Sequence, residues 1–514
     1  MKHFFYICVK YNMKKIKTRI APSNTGMATI GNLRTAIFNY LFAKKHGGDF
    51  ILRIEDTDKK RSVPGSEEYM IRSLEWIGIT PDDGINKDGT AMYRQSEREY
   101  KSYIDILLKN GNAYYAFDTA EELSKARELS GKSPFSYNSL TRNSMQNSLS
   151  LSKDEVNKRI NRGDKFVIRF KVPRDCEVKF DDLILGKINI NTNDIDDKVI
   201  LKSDGTPTYH GGVVIDDYLM GITHVIRGNE WVSSTPLHIL MYKAFGWEVP
   251  TFVHLPLLLD KNGKKISKRK AKDYDFPICL LEYIDVESGE KVDGFKEIGY
   301  ESDALLNALT LLGWNSGTDK EIFSKEELIK EFSFDNVGKS GARVDSKKLK
   351  WFNSHYLRSR NPEWILERMN LPGEFVVKTE DDKLDLMASM ATERAVYASD
   401  LKDSLTYIHD TPSLGDDFKI KNVDEFIRVM NVFVADDFMD DFDENEWTSK
   451  NIRYELEHIS ANMSIKVGKI MPMLRIALCG GASGPQLPDV MYVIGPEETK
   501  KRVDALLDKI KELA

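Results

Sequence analysis

The chain has 514 residues, of which 41% are hydrophobic and 30% charged, and its net charge is −6. This composition is that of a globular protein rather than a disordered one, and the length predicts several packed units instead of a single core. No run of about 18 apolar residues occurs, so no segment is predicted to span a membrane.

Cysteine usage and the N-terminus give two further expectations. The four cysteines are scattered, with no C-x-x-C pair: Cys8, Cys176, Cys279 and Cys479. This spacing argues against a disulfide framework and a thiolate zinc site, and it predicts reduced thiols. The opening "MKHFFYICVKYNM" lacks the long apolar core and cleavage site of a signal peptide. Residues 1–12 are therefore interpreted as an N-terminal extension, with Met13 as a candidate start.

The first predicted elements form a strand, a helix and a strand. "KTRI" at 17–20 is typical of a strand, and "NLRTAIFNYLFAKKHGG" follows with apolar residues at helical spacing. "DFILRIED" predicts the next strand, and this order implies a parallel sheet. A second such pattern runs from "VVIDDYLMGITHVIRGNEW" through "TPLHILMYKAFGW" to "FVHLPLLLD". Two halves of a doubly wound α/β sheet are therefore predicted.

Two other regions have different patterns. Residues 115–200 are polar and mixed, and they predict a small inserted domain, because structureless loops of that length are rare. After about residue 340, amphipathic helical patterns such as "VDEFIRVMNVFV" persist. The acidic run 436–446 is interpreted as a solvated face or a helix junction rather than a metal site.

Two segments carry candidate chemistry. "APSNTGMATIGN" places small and hydroxyl side chains between a strand and a helix, where backbone N–H groups suit a phosphate. "GKKISKRKAK" at 263–272 is either a solvated basic loop or a mobile loop. In the second case it brings Lys265 and Lys268 to a polyphosphate. The turn follows the first strand and the loop follows the last strand of the same sheet. Both are therefore expected to converge at its carboxyl edge.

These motifs resemble those of the class I aminoacyl-tRNA synthetases, and within that class the bacterial-type glutamyl-tRNA synthetases. Thr29-Ile30-Gly31-Asn32 stands at the position of the first class motif, and Lys265-Ile266-Ser267-Lys268-Arg269 at the second. "FNYLFAKKHGGDFILRIEDTD", "LKSDGTPTYH", "ARVDSKKLKWFN" and "GKIMPMLRIALCG" resemble further family segments in the same order. The resemblance covers essentially the whole chain from Met13 to Ala514.

The resemblance implies a Rossmann-type class I catalytic domain with an inserted acceptor-binding domain, followed by an all-α anticodon-binding region. The implied catalytic domain comprises residues 13–114 and 201–261, with the acceptor-end domain at 115–200 between them. A linking domain at 262–340 would carry the lysine loop and touch the tRNA stem, and residues 341–514 would read the anticodon.

The resemblance also implies the reaction. L-glutamate and ATP with Mg²⁺ form glutamyl-adenylate and pyrophosphate, and the glutamyl group then passes to the 3′-terminal adenosine of tRNA(Glu), releasing AMP. A cytoplasmic monomer without zinc and without a membrane partner is expected. Two alternatives stay open: an enzyme that also charges tRNA(Gln), and a catalytically weakened paralogue that binds tRNA. The intact lysine loop, Glu55, Arg227 and the helical half favour activity.

Matching by position assigns roles to individual residues, with no metal ligand among them. Glutamate binding is assigned to Arg19, Ala21, Ser23, Glu55, Tyr209 and Arg227. ATP binding is assigned to Ser23, Thr29, Gly31, Asn32, Glu230, Lys265, Ile266 and Lys268. The catalytic set is Thr29, Gly31, Asn32, Lys265, Ser267 and Lys268, and the tRNA contacts are Trp231, Lys264, Arg269 and Arg394.

The pocket can be checked against physical need, and four positions depart from the family pattern. A substrate with two carboxylates and an ammonium group needs a guanidinium fork and an acid. Arg227 favours glutamate over glutamine, because a neutral amide leaves a buried guanidinium poorly compensated. At these positions Thr29 stands for a histidine of the family and Asn32 for a glycine. Asn24 stands for a proline, and Val213 stands for an asparagine of the pocket. The Thr29 hydroxyl or a nearby backbone amide is expected to donate in place of the histidine.

Overall fold

The computed structural model describes residues 15–130, 136–412, 423–434, 442, 446–481 and 484–513. Residues 1–12 and most of the acidic run 436–446 therefore lie outside the described part of the chain. Backbone contacts divide the chain into two compact units. The first runs to Glu297 and includes Ser302–Leu349, and the second comprises Ile298–Glu301 and the chain from Lys350 onward.

The described strands all lie in the first unit. They are β1 Lys17–Ile20, β2 Asp49–Leu52, β3 Ala113–Ala116, β4 Val167–Phe170, β5 Glu177–Asp182, β6 Gly186–Asn191, β7 Val199–Leu201, β8 His224–Gly228, β9 Thr251–Leu255, β10 Leu258–Leu259, β11 Tyr283–Ile284, β12 Lys291–Val292 and β13 Ala342–Arg343.

The helices of the first unit connect these strands. They are α1 Ile30–Lys45, α2 Ser66–Trp76, α3 Lys101–Lys109, α4 Ala120–Ser130, α5 Lys153–Arg162, α6 Tyr209–Leu219, α7 Thr235–Phe245, α8 Phe295–Ile298, α9 Ser302–Leu311, α10 Lys325–Glu331 and α11 Ser346–Arg358, the last of which continues into the second unit. Short 3-10 helices occur at Lys59–Arg61, Gln95–Glu97, Arg142–Ser144, Thr192–Asp194, Asn229–Ser234, Lys268–Asp273 and Phe334–Asn336.

The predicted strand, helix and strand unit is present. α1 begins after Thr29 and buries an apolar face that includes Leu33 and Ile37. Gly48 is the last residue of the connection between α1 and β2. A Cβ at this position would lie 2.2 Å from the Ile16 carbonyl oxygen, so only glycine fits. β2 then pairs in parallel with β1, from Lys17 opposite Asp49 to Ile20 opposite Leu52. Parallel pairing places both carboxyl ends at the same edge.

The second half of the sheet comes from a distant part of the chain. Thr223, just before β8, donates its backbone N–H to the Lys17 carbonyl, which places the start of β8 beside β1. β8 pairs in parallel with β9, with Arg227 opposite His254. The prediction of a parallel α/β sheet assembled from two separated segments is therefore confirmed.

Strands from the predicted insert contribute to two sheets. β3, β4 and β7 form an antiparallel sheet of their own. β5 and β6 form a hairpin, and β5 also joins β9 in parallel at Asp182 opposite Phe252. The hairpin thus extends the central sheet and brings Asp182 next to it.

One expectation needs correction. The lysine loop does not follow the last strand of the central sheet directly, because β9 ends at Leu255 and Pro256 follows, a residue that cannot donate to a ladder. The loop instead leaves β10, which pairs in parallel with β13 at Leu258 opposite Ala342. A separate two-stranded sheet therefore holds the base of the loop.

The second unit is helical over its described residues. Besides the end of α11, its helices are Pro362–Leu366, Gly373–Lys378, Asp381–Thr392, Thr406–His409, Val423–Val434, Ser449–Met463, Val467–Cys479, Leu487–Ile494 and Pro496–Leu513, with a 3-10 helix at Ala398–Leu401. One buried cluster includes Phe426, Phe433 and Leu474, and another includes Leu357 and Met387. None of the described helices is long and apolar enough to cross a membrane.

Candidate active site

A cleft of about 880 Å³ opens in the first unit at the carboxyl edge of the parallel strands. Its walls come from the turn before α1, the segments after β2 and β8, the start of α6 and the lysine loop. Fifteen of the residues singled out from the sequence line it: Arg19, Ala21, Ser23, Thr29, Gly31, Asn32, Glu55, Tyr209, Arg227, Glu230, Trp231, Lys265, Ile266, Ser267 and Lys268.

Other residues singled out from the sequence do not line the cleft. Lys264 and Arg269 belong to the lysine loop, but they are exposed and do not line the cleft. Arg394 is an exposed residue of the second unit, just after the helix Asp381–Thr392. Val213, where the family has a pocket asparagine, is buried in the core and does not line the cleft.

The turn before α1 is held by its own side chains. Asn32 Oδ1 accepts from the Thr29 backbone N–H at 3.0 Å and lies 3.1 Å from Thr29 Oγ1. Because a backbone N–H only donates, it fixes which end of the Asn32 amide faces Thr29. The Thr29 hydroxyl proton is therefore directed to Asn32, and the Asn32 Nδ2 group is left as the free donor of this pair. Sequence reasoning had given the donor role to Thr29 or to a backbone amide.

The lysine loop meets the same turn. A Cβ at Gly26 would lie 2.8 Å from Lys268 Nζ, so the ammonium group lies directly against the backbone of this turn. Lys265 Nζ forms an ion pair with Glu230 Oε1 at 3.0 Å. The backbone N–H of Ile266 donates to the Leu258 carbonyl, which ties the loop to β10. The two signature segments thus lie against one another.

Arg227 has an unusual environment for a buried cation. Its side chain lies at the end of β8 and the residue is 6% exposed. It donates to Tyr209 Oη at 3.0 Å, to Thr235 Oγ1 at 2.8 Å and to His254 Nε2 at 3.1 Å. All three acceptors are neutral, and no carboxylate of the described residues lies within ion-pair distance. The guanidinium charge is therefore available to a ligand in the cleft.

Arg19 differs from Arg227 in this respect. Its Nε and Nη2 atoms donate to the two carboxylate oxygens of Asp217, at 3.0 and 3.1 Å. Arg53 Nη1 also donates to Asp217, at 2.8 Å. Arg19 lines the cleft, and the sequence predicts that it faces a ligand carboxylate. In the structure, however, two of its guanidinium nitrogens already bind the carboxylate of Asp217.

Glu55 is the acid nearest to this network. Arg53 Nη2 lies 3.3 Å from Glu55 Oε1, and the Glu55 side chain is 11% exposed. Burial raises the pKa of Glu55 to about 7, and the neighbouring Asp217 charge adds to the effect, although Arg53 and Arg19 oppose it. Glu55 can therefore take up or release a proton when a cation arrives.

Sequence reasoning missed several polar residues that build the site. Asp217, Arg53 and His254 lie in apolar stretches of sequence, and such buried polar residues are themselves a signal of a network. Arg34 of α1 donates to the carbonyls of Leu312 and Pro256, and burial lowers its pKa to about 10. Arg34 thereby links α1 to the segment that precedes the lysine loop.

Two family models match the chain. The model described as tRNA synthetases class I (E and Q), catalytic domain, matches residues 15–351. The model described as anticodon binding domain matches residues 356–507.

Relatives match over nearly the whole length. The glutamate–tRNA ligase of Cytophaga hutchinsonii is 43% identical over 97% of this chain and 98% of its own. The glutamate–tRNA ligase of Amoebophilus asiaticus is 43% identical over 96% of this chain and 98% of its own. The crystal structure of a glutamate tRNA ligase from Elizabethkingia meningosepticum, in complex with its amino acid, matches with a TM-score of 0.83 at 40% identity, over 97% of this chain and 100% of that one.

Proposed function

The chain belongs to the glutamate–tRNA ligase family of the class I tRNA synthetases, and from this premise we propose that it charges tRNA(Glu) with L-glutamate at the expense of ATP. The α-carboxylate of glutamate attacks the α-phosphorus of ATP, glutamyl-adenylate forms and pyrophosphate leaves. The terminal ribose hydroxyl of the tRNA then attacks the activated carbonyl, and AMP departs.

The strongest support for glutamate as the substrate comes from Arg227. A buried guanidinium with only neutral partners lacks the countercharge that burial normally requires. The γ-carboxylate of glutamate supplies it, whereas the amide of glutamine does not. We assign the γ-carboxylate to Arg227 and Tyr209, with Arg19 as a further donor through Nη1, the terminal nitrogen that Asp217 does not bind.

Glu55 is assigned to the substrate ammonium group. Its carboxylate lines the cleft beside the guanidinium network, and an arriving ammonium favours its ionised form. Ala21 and Ser23 line the same region of the cleft, where the backbone continues from β1. They would support the α-amino end of glutamate.

The ATP phosphates are assigned to the N-terminus of α1 and the lysine loop. The Gly31 N–H stands at the second helical position, where no intrahelical acceptor exists. Lys268 already lies over Gly26, and Lys265 would exchange its partner Glu230 for a phosphate oxygen. Two ammonium groups then offset the charge that develops on departing pyrophosphate. Ser267 and Ile266 hold the backbone of this loop.

Asn32 Nδ2 takes the donor role that the motif histidine has in the family. Because Thr29 fixes the amide through two contacts to Oδ1, the Nδ2 group needs no reorganisation before it meets a phosphate oxygen. The Thr29 side chain acts on Asn32 rather than on ATP directly.

Mg²⁺ would enter with ATP. No group of three or more His, Cys, Asp or Glu side chains in the described residues is arranged to hold a metal ion. Mg²⁺ commonly binds through substrate phosphates and few protein ligands. When bound, it would neutralise the pyrophosphate.

The tRNA contacts follow the family organisation. We assign the acceptor end to residues 115–200 and Trp231, the inner stem to 262–340 with Lys264 and Arg269, and the anticodon to residues 341–514 with Arg394. Trp231 is 37% exposed beside Tyr209, with ring centroids 4.2 Å apart, and offers a face for a base. We also propose that the protein acts as a monomer in the cytoplasm.

A charging assay tests this function. Purified protein is given ATP, Mg²⁺ and tRNA(Glu) or tRNA(Gln) transcripts with radiolabelled glutamate, and parallel reactions contain glutamine or aspartate. Label on tRNA(Glu) from glutamate alone is expected. Good tRNA binding without charging would identify a weakened paralogue, and label on tRNA(Gln) would identify an enzyme that charges both.

A further inference from the structure

Three buried polar side chains form a row across the central sheet. Asp182 stands at the end of β5, His254 in β9 and Arg227 in β8. His254 Nδ1 lies 2.7 Å from Asp182 Oδ2, and Arg227 Nε lies 3.1 Å from His254 Nε2. His254 is fully buried, and Asp182 is 3% exposed. The row thus runs from an acid, through an imidazole, to the guanidinium in the cleft.

The chemistry of the row fixes one tautomer of His254. The Nε atom of arginine carries a proton and only donates, so His254 Nε2 must present its lone pair. The ring proton then resides on Nδ1 and is donated to Asp182. Thr235 Oγ1, 3.1 Å from His254 Nε2, is compatible with the same arrangement as a second donor.

The surroundings of Asp182 favour its ionised form. Its Oδ1 atom accepts the backbone N–H groups of Ile184 and Leu185, at 3.0 and 2.9 Å. Burial opposes ionisation, but the hydrogen bonds from His254 and these backbone groups outweigh it and hold the pKa of Asp182 below its usual value. With Oδ1 so engaged, only Oδ2 is left for His254.

We propose that Asp182 and His254 are positioning residues that orient Arg227 toward the γ-carboxylate of the substrate and thereby set the preference for glutamate over glutamine. This inference rests on the proposed function. A carboxylate placed directly on Arg227 would neutralise it and compete with the substrate, as Asp217 does on Arg19. A neutral imidazole in between fixes the guanidinium and leaves its charge unpaired.

The other contacts of Arg227 do not replace this anchor. Tyr209, Thr235 and the Trp231 carbonyl meet the two terminal nitrogens, Nη1 and Nη2. His238 Nδ1 also lies 3.3 Å from Nη1. Nε is bonded only to His254 among the described residues. Among the described residues, His254 therefore fixes the Nε edge of the guanidinium, and Asp182 fixes His254.

Asp182→Asn removes the anchor with little change in shape. If the amide oxygen keeps the backbone N–H groups of Ile184 and Leu185, its NH₂ group faces His254 Nδ1 and donates to it. The ring proton then moves to Nε2, and two donors face each other at Arg227. The guanidinium must turn away from its position in the cleft.

Steady-state charging kinetics test the consequence. Asp182→Asn is expected to raise the KM for glutamate about 10–100-fold, the range for losing a hydrogen bond to a charged group, with the KM for ATP within about twofold of wild type. Discrimination against glutamine should fall in the same variant. The matched control is Asp181→Asn, on the same strand but exposed, which should leave both KM values unchanged.

The tautomer of His254 is measured independently of activity. Long-range ¹H–¹⁵N spectra of histidine-labelled protein should show the Nδ1–H form in wild type, with His254→Gln identifying the signal, and the Nε2–H form in Asp182→Asn. An Nε2–H or doubly protonated ring in wild type would overturn the inference even if the variant does not fold. So would an unchanged KM for glutamate in a folded Asp182→Asn variant. Failure of the wild-type protein to charge tRNA would instead refute the proposed function.

Discussion

Arg227→Gln separates the role of Arg227 in binding from any role in stability. The substitution keeps a polar side chain of similar reach but removes the positive charge. In the protein without substrate, that charge has no carboxylate partner among the described residues, so no buried ion pair is broken. In the complex with glutamate, the substrate carboxylate would be left buried and unpaired.

The expected magnitudes differ for the two properties. An unpaired buried charge costs about 3–5 kcal/mol, which corresponds to a fall of about 10²–10⁴-fold in kcat/KM for glutamate. The free energy of unfolding should fall by less than this, because no ion pair is broken, and the loss of hydrogen bonds from the guanidinium to neutral acceptors is offset by the removal of a buried cation that lacks a countercharge. Charging kinetics and thermal unfolding measure the two quantities.

Arg142→Gln is the matched control. Arg142 is another buried arginine of the first unit, 8% exposed, but its Nη1 atom forms an ion pair with the fully buried Asp197 at 3.1 Å. Breaking that pair should destabilise the protein by about 3–5 kcal/mol and lower the unfolding temperature by several degrees, while the KM for glutamate stays unchanged. If Arg227→Gln instead lost stability to the same extent and kept glutamate kinetics, the assignment of Arg227 to the substrate would be refuted.

Three other outcomes are expected. Lys268→Ala should slow adenylate formation by about 10²–10³-fold with little change in tRNA affinity, and the reverse pattern in single-turnover and binding assays would remove Lys268 from the chemistry. Asn32→Ala should lower kcat by about 10²-fold in charging assays, whereas an unaltered rate would exclude Nδ2 as the donor. Because the pKa of Glu55 is raised to about 7 and the ammonium favours its ionised form, glutamate binding should release a proton, and the KM should fall as pH rises through about 7. Glu55→Gln should abolish that pH dependence, and a pH-independent KM in wild type would contradict the role of Glu55.

Periodicity and turn chemistry predicted the local elements well. The spacing of Leu33 and Ile37 predicted α1, which begins two residues before the predicted stretch and ends just before the glycines, and the order of elements implied the parallel sheet. The same reasoning placed the lysine loop on the central sheet, because a pattern along the chain does not reveal that Pro256 ends β9 and that β10 pairs with β13. Strand partners distant in sequence are decided by packing.

The sequence by itself determined the family, the two signature segments and most side chains that line the cleft, because these are set by residue type and order along the chain. Only the tertiary structure decided which partners those side chains have and how they are oriented. Arg19 is paired with the carboxylate of Asp217, whereas Arg227 has no carboxylate partner among the described residues. The Thr29 hydroxyl donates to Asn32. It also placed Asp182 and His254 behind Arg227 from strands far apart in sequence. Burial and hydrogen-bond partners depend on contacts between such distant segments, and no local pattern encodes them.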